Sequence, residues 1–338
     1  MPKKIILRHF LSPGDVLMMS PAIRDLHKTY PDKYITDVRT SCNALWENNP
    51  YITKLDEKDD DVEAIEAEYP LIHGSNEGCH HFIHGFTYFL NEKLDLKIKP
   101  GNFWGDIHLS DSEKSWYSQI YESNKKDIPY WIINAGCKSD YTCKMWEFER
   151  YQKVVDHFKD KVTFVQIGAN DHNHKNLIGD NVINLVGKTD MRQLIRLVYH
   201  SAGVISAVSL PMHLAAAVEM KPCYSGRKRR PCIVLAGGRE PSVWEAYTNH
   251  AYLHTCGMLP CCDNGGCWKS RIEKLGDGDK KDKDLCFRPI VTESGQTIPK
   301  CMDMISADRV IEALHGYSDV YNYYEDWEFN DDGTAKVK

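Results

Sequence analysis

Residues 3–26 read KKIILRHFLSPGDVLMMSPAIRDL, and this stretch decides the fold class. The apolar run at 3–8 predicts a buried strand, and Pro13 and Gly14 predict a turn after it. Apolar side chains then recur at the spacing of one helix face; they are Val16, Leu17, Met19, Ile23 and Leu26. A buried strand, a glycine turn and a helix in this order predict the start of a parallel α/β sheet.

The same alternation returns in the second half of the chain. Strands are predicted at 130–136, 162–168, 203–206 and 232–238, and helices at 148–158, 191–200 and 212–220. The pattern predicts two doubly wound, parallel-sheet α/β domains, and 338 residues agree with about 150 residues per domain. A polar stretch at 110–127 is predicted to hold an interdomain helix and linker. The predicted boundaries are 1–125, 126–250, a Cys-rich module at 251–305, and a terminal helix with an acidic aromatic tail at 306–338.

The composition excludes several classes of protein. With 42% hydrophobic and 27% charged residues, it is that of an ordinary soluble globular protein. No apolar run approaches the ~18 residues that span a bilayer, and Arg8 and His9 interrupt the first run before it could act as a signal peptide. We therefore expect a cytoplasmic protein. A net charge of −6 argues against extended binding to a nucleic-acid backbone.

Asp15 is the first candidate for chemistry, because it stands after the first strand and at the start of a helix. Ligands of open α/β sheets bind beyond the carboxyl ends of the strands. Asp15 could cap the helix, or it could act as a general base that accepts a proton from an attacking hydroxyl. Spacing does not separate these two interpretations.

Two further loops follow predicted strands. Asn134-Ala135-Gly136-Cys137, with Lys144 a few residues on, could place amides and an ammonium group against phosphates, although an exposed Lys is the simpler interpretation. Ser209-Leu210-Pro211-Met212-His213 places His213 in the first turn of a helix. This His could lie near a ligand or be a structural residue.

Taken together, these segments resemble glycosyltransferase family 9, the ADP-heptose heptosyltransferases, over nearly the whole chain. The matching segments are Arg8 with Pro13-Gly14-Asp15-Val16 and Ser20-Pro21-Ala22, Lys144-Met145-Trp146, Phe164-Val165-Gln166-Ile167-Gly168, Val186-Gly187-Lys188-Thr189-Asp190, His213-Leu214-Ala215-Ala216-Ala217 and Val234-Leu235-Ala236-Gly237-Gly238-Arg239-Glu240-Pro241. The resemblance implies a GT-B architecture, with two Rossmann-like domains facing a cleft. It places the nucleotide sugar on the C-terminal domain and the acceptor on the N-terminal domain.

The resemblance also implies roles for individual residues. Asp15 matches the proposed catalytic base, and Lys144 matches the residue that contacts the donor phosphates. Further donor-binding residues are expected in the loops after the strands, and they are Asn134, Gly136, Gly168, Ser209, His213, Gly237 and Gly238. Arg8 and Gly14 are expected on the acceptor side.

The chain departs from the family at two places. Where the family has Asp-Ser/Thr-Gly before the His, this chain reads Val208-Ser209-Leu210, so a carboxylate that ordinarily touches the donor is missing. An insertion at 223–230 ends in four consecutive cations. These could hold an anionic acceptor or phosphate, or form a solvated basic loop.

Cysteine is the unusual feature of the composition, since six of the twelve fall between 256 and 301. Four thiolates from separate loops can close a tetrahedral Zn or Fe site, while the alternative is a set of reduced thiols. The candidate ligands are Cys261, Cys262, Cys267, Cys286 and Cys301, with Cys261 and Cys262 as alternatives. The pattern is similar to the four-cysteine iron finger of bacterial autotransporter heptosyltransferases. With four thiolates and no open position, such a metal would be structural, with a role in oligomerisation or in shaping the acceptor side.

The sequence therefore predicts an inverting glycosyltransferase that uses a nucleotide sugar, with ADP-heptose as the expected donor. As in GT-B enzymes, no catalytic divalent metal is required. The acceptor is left open among a glycan, a protein Ser/Thr and a modified nucleic-acid base, and a homo-oligomer is compatible with the pattern. The alternative is a non-catalytic GT-B-like binding or assembly protein. Val208 suggests this alternative, because it replaces the Asp of the family motif.

Overall fold

The computed structural model describes residues 1–224, 229–317 and 328–336. The strands are β1 (Lys3–His9), β2 (Tyr34–Thr40), β3 (Val62–Glu66), β4 (Tyr130–Ile133), β5 (Gly136–Cys137), β6 (Thr163–Gln166), β7 (Asn173–His174), β8 (Val182–Asn184), β9 (Gly203–Ala207), β10 (Cys232–Gly237), β11 (His250–His254), β12 (Pro289–Val291) and β13 (Thr297–Pro299). The helices are α1 (Pro13–Thr29), α2 (Phe82–Leu94), α3 (Asp111–Ser115), α4 (Gln119–Asn124), α5 (Phe148–His157), α6 (Met191–His200), α7 (Leu210–Ala217), α8 (Ser242–Glu245), α9 (Lys300–Asp303) and α10 (Ala307–His315).

The chain divides into two compact units. The first comprises Met1–Trp116, Ala216–Val218 and Val243–Tyr247, and the second comprises Tyr117–Ala215, Glu219–Ser242 and Thr248–Lys338. Two short segments of the second half thus belong to the first unit. The domain boundaries drawn from the sequence stay a prediction.

The first unit is built on a parallel sheet with the strand order β2-β1-β3. β1 is central, and Ile5, Ile6 and Leu7 are fully buried, which explains why it reads as an unbroken apolar run. Pro13 takes the first helical position of α1, where its missing N–H costs nothing. The apolar face of α1 is buried in the core and the helix packs against α2.

The second unit is built on a parallel sheet with the strand order β11-β10-β9-β4-β6-β8. The core on this sheet includes Trp131, Trp146, Phe158, Phe164 and Ile233, all essentially buried. β10, β9 and β4 are adjacent, so the loops after them lie at the same edge of the sheet. Those loops contain most of the predicted donor-binding residues.

The predicted elements of the second half are confirmed with small changes of boundary. The predicted helix at 212–220 begins earlier and ends earlier, as α7. The polar stretch at 110–127 forms the two short helices α3 and α4. Residues 318–327 of the acidic aromatic tail lie outside the described residues. Among the described residues, no helix has both the length and the apolar character needed to cross a bilayer.

Candidate functional site

Asp15 lies in the first turn of α1 in the first unit. The N-terminal cap of this helix is Ser12, so Asp15 is not the cap, and the Ser12 side chain makes no capping hydrogen bond. The phenol of Tyr69 donates a hydrogen bond to Asp15 Oδ1 at 2.9 Å. Asp15 is half-buried at the carboxyl end of β1. This is a position from which a carboxylate can accept a proton from a bound hydroxyl.

Aromatic packing fixes the ring of Tyr69. Its centroid lies 4.9 Å from that of Phe82 and 5.2 Å from that of Phe86, on the first turns of α2. Gly85 allows this approach, because a Cβ there would lie 2.7 Å from the Cβ of Tyr69. The direction of the phenol toward Asp15 is therefore set by the ring contacts, independently of the hydroxyl.

Arg8 and Gly14, expected on the acceptor side, both lie near this edge of the first sheet. Gly14 is in the first turn of α1, next to Asp15. Arg8, near the end of β1, pairs with Glu57 at 2.5 Å and with Glu66 at 3.2 Å. It faces a cavity of about 430 Å³ lined by Arg8, Phe10, Arg39, Thr40, Asn43, Glu57 and Glu66. The cavity offers both donors and acceptors of hydrogen bonds together with an exposed aromatic ring.

Lys144 lies in the second unit, at the end of a 3-10 turn that spans Ser139–Lys144. Its Nζ donates to the carbonyl oxygen of Val208 at 2.8 Å and lies 2.9 Å from Glu240 Oε1. Val208 follows β9 and Glu240 follows β10, two adjacent strands of the sheet. The ammonium group is thus at the carboxyl edge of the sheet and in contact with a buried carboxylate.

The glycines of two loops that are predicted to bind the donor contact one imidazole ring. A Cβ at Gly136 would lie 2.1 Å from His174 Nδ1, and a Cβ at Gly168 would lie 2.1 Å from the same ring. His174 is held by a contact of 3.2 Å between its Nδ1 and the carbonyl oxygen of Ala135, and burial lowers its pKa. Both positions therefore require glycine, because the ring of His174 packs against the backbone and leaves no room for a Cβ. Binding of phosphates by their amides stays a prediction.

Gly237, at the end of β10, and Gly238, directly after it, make a similar close approach to side chains of the Cys-rich module. Gly237 has a φ of +60°, and a Cβ there would lie 2.6 Å from Met302 Sδ. A Cβ at Gly238 would lie 2.9 Å from Cys262 Sγ. The turn after β10 thus packs directly on the Cys-rich module.

The remaining predicted donor residues lie at the same sheet edge. The Asn134 N–H donates to the carbonyl oxygen of Ile205 at 2.9 Å, and among the described residues its buried Oδ1 has no hydrogen-bond partner. Ser209 Oγ lies 3.0 Å from Ser206 Oγ. His213 is buried within α7.

Arg230, the last of the four consecutive cations at 227–230, is buried. Arg230 is 1% exposed and donates to the carbonyl oxygens of Tyr199, Ser201 and Glu219 at 3.0–3.2 Å. Burial lowers its pKa to about 10. A ligand-binding or solvated role is therefore wrong for Arg230, which supports the backbone before β10. Arg227 and Lys228 lie outside the described residues.

The thiols of the module converge on one small cavity of about 10 Å³. Five cysteines line it, and they are Cys143, Cys261, Cys267, Cys286 and Cys301. Cys262 is buried next to Cys261 without lining the cavity, and its thiol donates to the carbonyl oxygen of Thr255 at 3.5 Å. Of the two alternatives left open by the sequence, Cys261 is the one that lines the cavity together with the other thiols.

In this structure the thiols pair with neighbouring groups. A hydrogen bond from the Cys143 thiol lowers the pKa of Cys286, and the Arg288 N–H also donates to Cys286 Sγ at 3.4 Å. Within 1–224, 229–317 and 328–336, no group of three or more His, Cys, Asp or Glu side chains is arranged to hold a metal ion. The donor set, several soft sulfurs around one atom-sized cavity, fits Zn or Fe in its chemistry.

The module is attached to the turn that carries Lys144. The Cys143 N–H donates to the carbonyl oxygen of Ser270 at 3.1 Å, and the Ile272 N–H donates to Thr142 Oγ1 at 2.9 Å. Lys281 pairs with Asp140 at 3.3 Å. These contacts connect the module to the turn of the second unit that carries Lys144.

The sequence did not identify four residues of these sites, which are Tyr69, Cys143, His174 and Glu240. Cys143 lies outside the cluster of cysteines at 256–301, although its position next to Lys144 was a signal. Glu240 follows a glycine loop at a strand end, which was a signal for the sheet edge. Tyr69 and His174 carry no local signal.

Comparison with known proteins places these sites in context. Residues 75–251 match the family model of glycosyltransferase family 9 (heptosyltransferase). The chain is 23% identical over 181 residues to lipopolysaccharide heptosyltransferase 3 of Escherichia coli strain K12. That match covers 50% of this chain and 49% of the relative, so the chain spans about half the length of the curated relative it matches.

Solved structures show the same fold. A glycosyltransferase of family 9 from Veillonella parvula has a TM-score of 0.60 at 16% identity, with 94% of this chain and 97% of that chain covered. The E. coli ADP-heptose heptosyltransferase II has a TM-score of 0.57 at 17% identity, covering 94% and 98%. The dodecameric iron-containing heptosyltransferase TibC, in complex with ADP-D-β-D-heptose, has a TM-score of 0.61 at 15% identity, covering 94% and 76%; TibC comes from enterotoxigenic E. coli. The likeness confirms the predicted α/β fold class of GT-B type.

Proposed function

Because the chain belongs to glycosyltransferase family 9, we propose that it transfers a sugar from a nucleotide sugar to an acceptor hydroxyl, with inversion at the anomeric carbon. The observation that carries this proposal is the position and the hydrogen bonding of Asp15. This residue stands at the carboxyl end of the central strand of the first sheet, and Tyr69 orients one of its oxygens. A family motif and an oriented carboxylate coincide at this residue.

In the proposed reaction Asp15 is the general base. One of its carboxylate oxygens accepts the proton of the acceptor hydroxyl as that oxygen forms a bond to the anomeric carbon. The bond from the anomeric carbon to the diphosphate oxygen breaks, and the nucleotide leaves with the electron pair. The hydrogen bond from Tyr69 keeps the base in place. Attack from the face opposite the leaving group inverts the anomeric centre.

On the donor side, Lys144 neutralises the charge that develops on the departing diphosphate. Backbone amides near Gly136, Gly168 and Gly237, with Asn134, Ser209, Gly238 and His213, form the rest of the donor site. Support comes from their position in loops after β4, β6, β9 and β10, at the carboxyl edge of one parallel sheet. Lys144 would exchange its contact with Glu240 for the diphosphate.

The donor we propose is ADP-heptose. Support comes from the family description and from two similar structures, one named an ADP-heptose heptosyltransferase and one solved with ADP-D-β-D-heptose. For the acceptor, Arg8 and Gly14 mark the acceptor side, and the cavity beside Arg8 offers polar groups for hydroxyls. A glycan, a protein Ser/Thr and a modified nucleic-acid base are the acceptor classes to test.

We further propose a structural Fe or Zn ion in the thiol cavity. Cys261, Cys267, Cys286 and Cys301 would hold it, and Cys262 would not, because its thiol lies outside the cavity. A tetrathiolate ion leaves no open position, so it would join the loops of the module and take no part in sugar transfer. As in other GT-B enzymes, the transfer itself would need no divalent metal. The iron-containing, dodecameric TibC supports both an ion and a homo-oligomer. We also propose a cytoplasmic location.

A second candidate function is a non-catalytic binding or assembly protein with the same scaffold. Val208 favours it, because the chain lacks a carboxylate where the family has Asp. Binding alone does not separate the two candidates, since both would retain the donor loops. Turnover separates them, because only the enzyme would release nucleotide from the donor repeatedly.

Thermal unfolding in a series of nucleotide sugars tests the proposed donor site. A ligand that binds only the native state at 100 times its Kd stabilises it by about 2.7 kcal/mol. We expect ADP-heptose to raise Tm by several degrees and UDP-sugars to have little effect. A Lys144→Ala variant serves as the matched control and should lose most of the shift. If neither ADP, ADP-heptose nor any other nucleotide sugar changes Tm, the proposed function is wrong.

A further inference from the structure

Glu240 lies where the missing donor carboxylate would be needed. The Lys144 ammonium group joins the carbonyl oxygen of Val208, at 2.8 Å, to Glu240 Oε1, at 2.9 Å. Val208 occupies the position of the Asp in the family motif, and it offers a backbone oxygen in place of a carboxylate. The nearest side-chain carboxylate that contacts the same ammonium group comes from the loop after the neighbouring strand.

The two oxygens of Glu240 have different surroundings. Glu240 is 3% exposed, and its Oε1 accepts from both Lys144 and Arg239. Its Oε2 is enclosed and, in the part of the chain that the structure describes, has no hydrogen-bond partner. A buried carboxylate oxygen without a partner is costly, so a partner from outside the protein is expected.

The module holds Glu240 in this position. The N–H groups of Cys267 and Trp268 donate to the carbonyl oxygens of Gly238 and Arg239, each at 3.0 Å. Arg239 Nε donates to the carbonyl oxygen of Lys269 at 2.7 Å. The turn before Glu240 is thus bound along its length to the segment that follows Gly266. Such bracing fixes a buried carboxylate more firmly than a free loop would.

We propose that Glu240 supplies the donor-binding carboxylate that Val208 does not, with Oε2 accepting a hydrogen bond from a hydroxyl of the nucleotide sugar. This inference rests on the proposed function and deepens it. When Lys144 turns to the diphosphate, the carboxylate loses one cation and is available to the hydroxyl. Glu240 thereby contributes to the recognition of the sugar, and through its charge it disfavours a bare diphosphate.

Titration calorimetry with two ligands tests this role, using ADP-heptose and inorganic pyrophosphate, which has no hydroxyl from a sugar. In Glu240→Gln a charge-assisted hydrogen bond becomes a neutral one, so we expect the affinity for ADP-heptose relative to that for pyrophosphate to fall about tenfold. Pyrophosphate itself should bind as well or better, because a neighbouring negative charge is removed. Glu147→Gln is the matched control, a buried carboxylate of the same unit that pairs with Arg150, and it should change neither affinity.

Each other outcome overturns the inference. If both ligands weaken by the same factor in Glu240→Gln, Glu240 only positions Lys144. If neither affinity changes, Oε2 contacts a bound water only. If Glu240→Gln does not fold, Glu240→Asp keeps the charge and withdraws the carboxylate by one methylene, and unchanged ADP-heptose affinity in that variant contradicts the proposal. If the wild type binds pyrophosphate but no nucleotide sugar, the proposed function itself fails.

Discussion

Replacing Tyr69 by Phe removes one hydrogen bond from Asp15 and leaves the rest of that region intact. The ring of residue 69 keeps its contacts with Phe82 and Phe86, at centroid distances of 4.9 and 5.2 Å. The substitution removes only the hydroxyl that donates to Asp15 Oδ1 at 2.9 Å. It therefore separates the orientation of the proposed base from the stability of the fold.

The size of the effect follows from this hydrogen bond. A hydrogen bond to a charged group contributes about 1.5–3 kcal/mol, and about 1.4 kcal/mol corresponds to tenfold in rate. If the whole hydrogen bond contributed to the transition state, its removal would lower kcat by about 10- to 150-fold. Because Asp15 gains a proton in the transition state, part of the bond weakens during the reaction in any case. We expect a loss near tenfold in Tyr69→Phe, with a change in unfolding free energy of about 1 kcal/mol or less.

The assay is the initial rate of nucleotide release at saturating donor with water as the acceptor of the sugar, measured for four proteins: wild type, Tyr69→Phe, Asp15→Asn and the double variant. Loss of a general base costs about 10²- to 10⁴-fold. If Tyr69 acts through Asp15, adding Tyr69→Phe to Asp15→Asn should cause no further loss.

Two results would refute this reasoning. One is full activity in Tyr69→Phe, which would mean that the hydrogen bond does not orient the base. The other is a double variant in which the two losses multiply, which would mean that Tyr69 and Asp15 act independently. Calorimetric unfolding of the four proteins shows whether any loss arises from a damaged fold.

Two further predictions concern the module and the pH dependence of stability. Cys267→Ser should lower Tm and reduce bound Fe plus Zn, measured by elemental analysis, below about 0.2 equivalents. Cys262→Ser should retain the metal, because the Cys262 thiol donates to Thr255 and does not line the cavity. Equal metal content in the two variants would contradict the proposed ligands. Burial lowers the pKa of His81 to about 4, with Nδ1 accepting from the Ile83 N–H and Nε2 facing the carbonyl oxygen of Ala246. The unfolded chain binds a proton below about pH 6.5 that the folded chain does not, so stability should fall from pH 6.5 to 4 by up to roughly 3 kcal/mol. Urea unfolding should show a flatter pH dependence for His81→Gln, and parallel curves would refute the assignment.

The sequence predicted the central elements of the fold better than the edges. β1 is buried on both faces, so its residues Ile5, Ile6 and Leu7 form an apolar run that is visible without a structure. β2 and β3 flank it and carry several exposed or half-exposed polar residues. Their strand character depends on pairing with β1, a tertiary contact, so composition alone gave no signal for them.

The same distinction applies to the candidate site. Asp15 and Lys144 follow from local motifs, and each lies at the carboxyl edge of the parallel sheet of its own unit. Tyr69 and Glu240, which contact them, come from segments distant in the sequence. The clustering of cysteines indicated a module, but only the fold shows that Cys143 lines its cavity and that Cys262 does not. Partners of this kind depend on packing and are not encoded in spacing.

The most direct test of the central claim is hydrolysis of ADP-heptose, in which water takes the sugar in place of the acceptor hydroxyl and the nucleotide is released. It is measured for the wild type and for Asp15→Asn, together with the ligand-induced change in Tm of each. We predict repeated turnover by the wild type and a rate lower by about 10²- to 10⁴-fold in the variant. The stabilisation by ADP-heptose should be equal in the two proteins, because Asp15 acts on the acceptor. Turnover that is the same in both proteins, or absent from both while ADP-heptose still raises Tm, would contradict the assignment of Asp15 as the base of a glycosyltransferase.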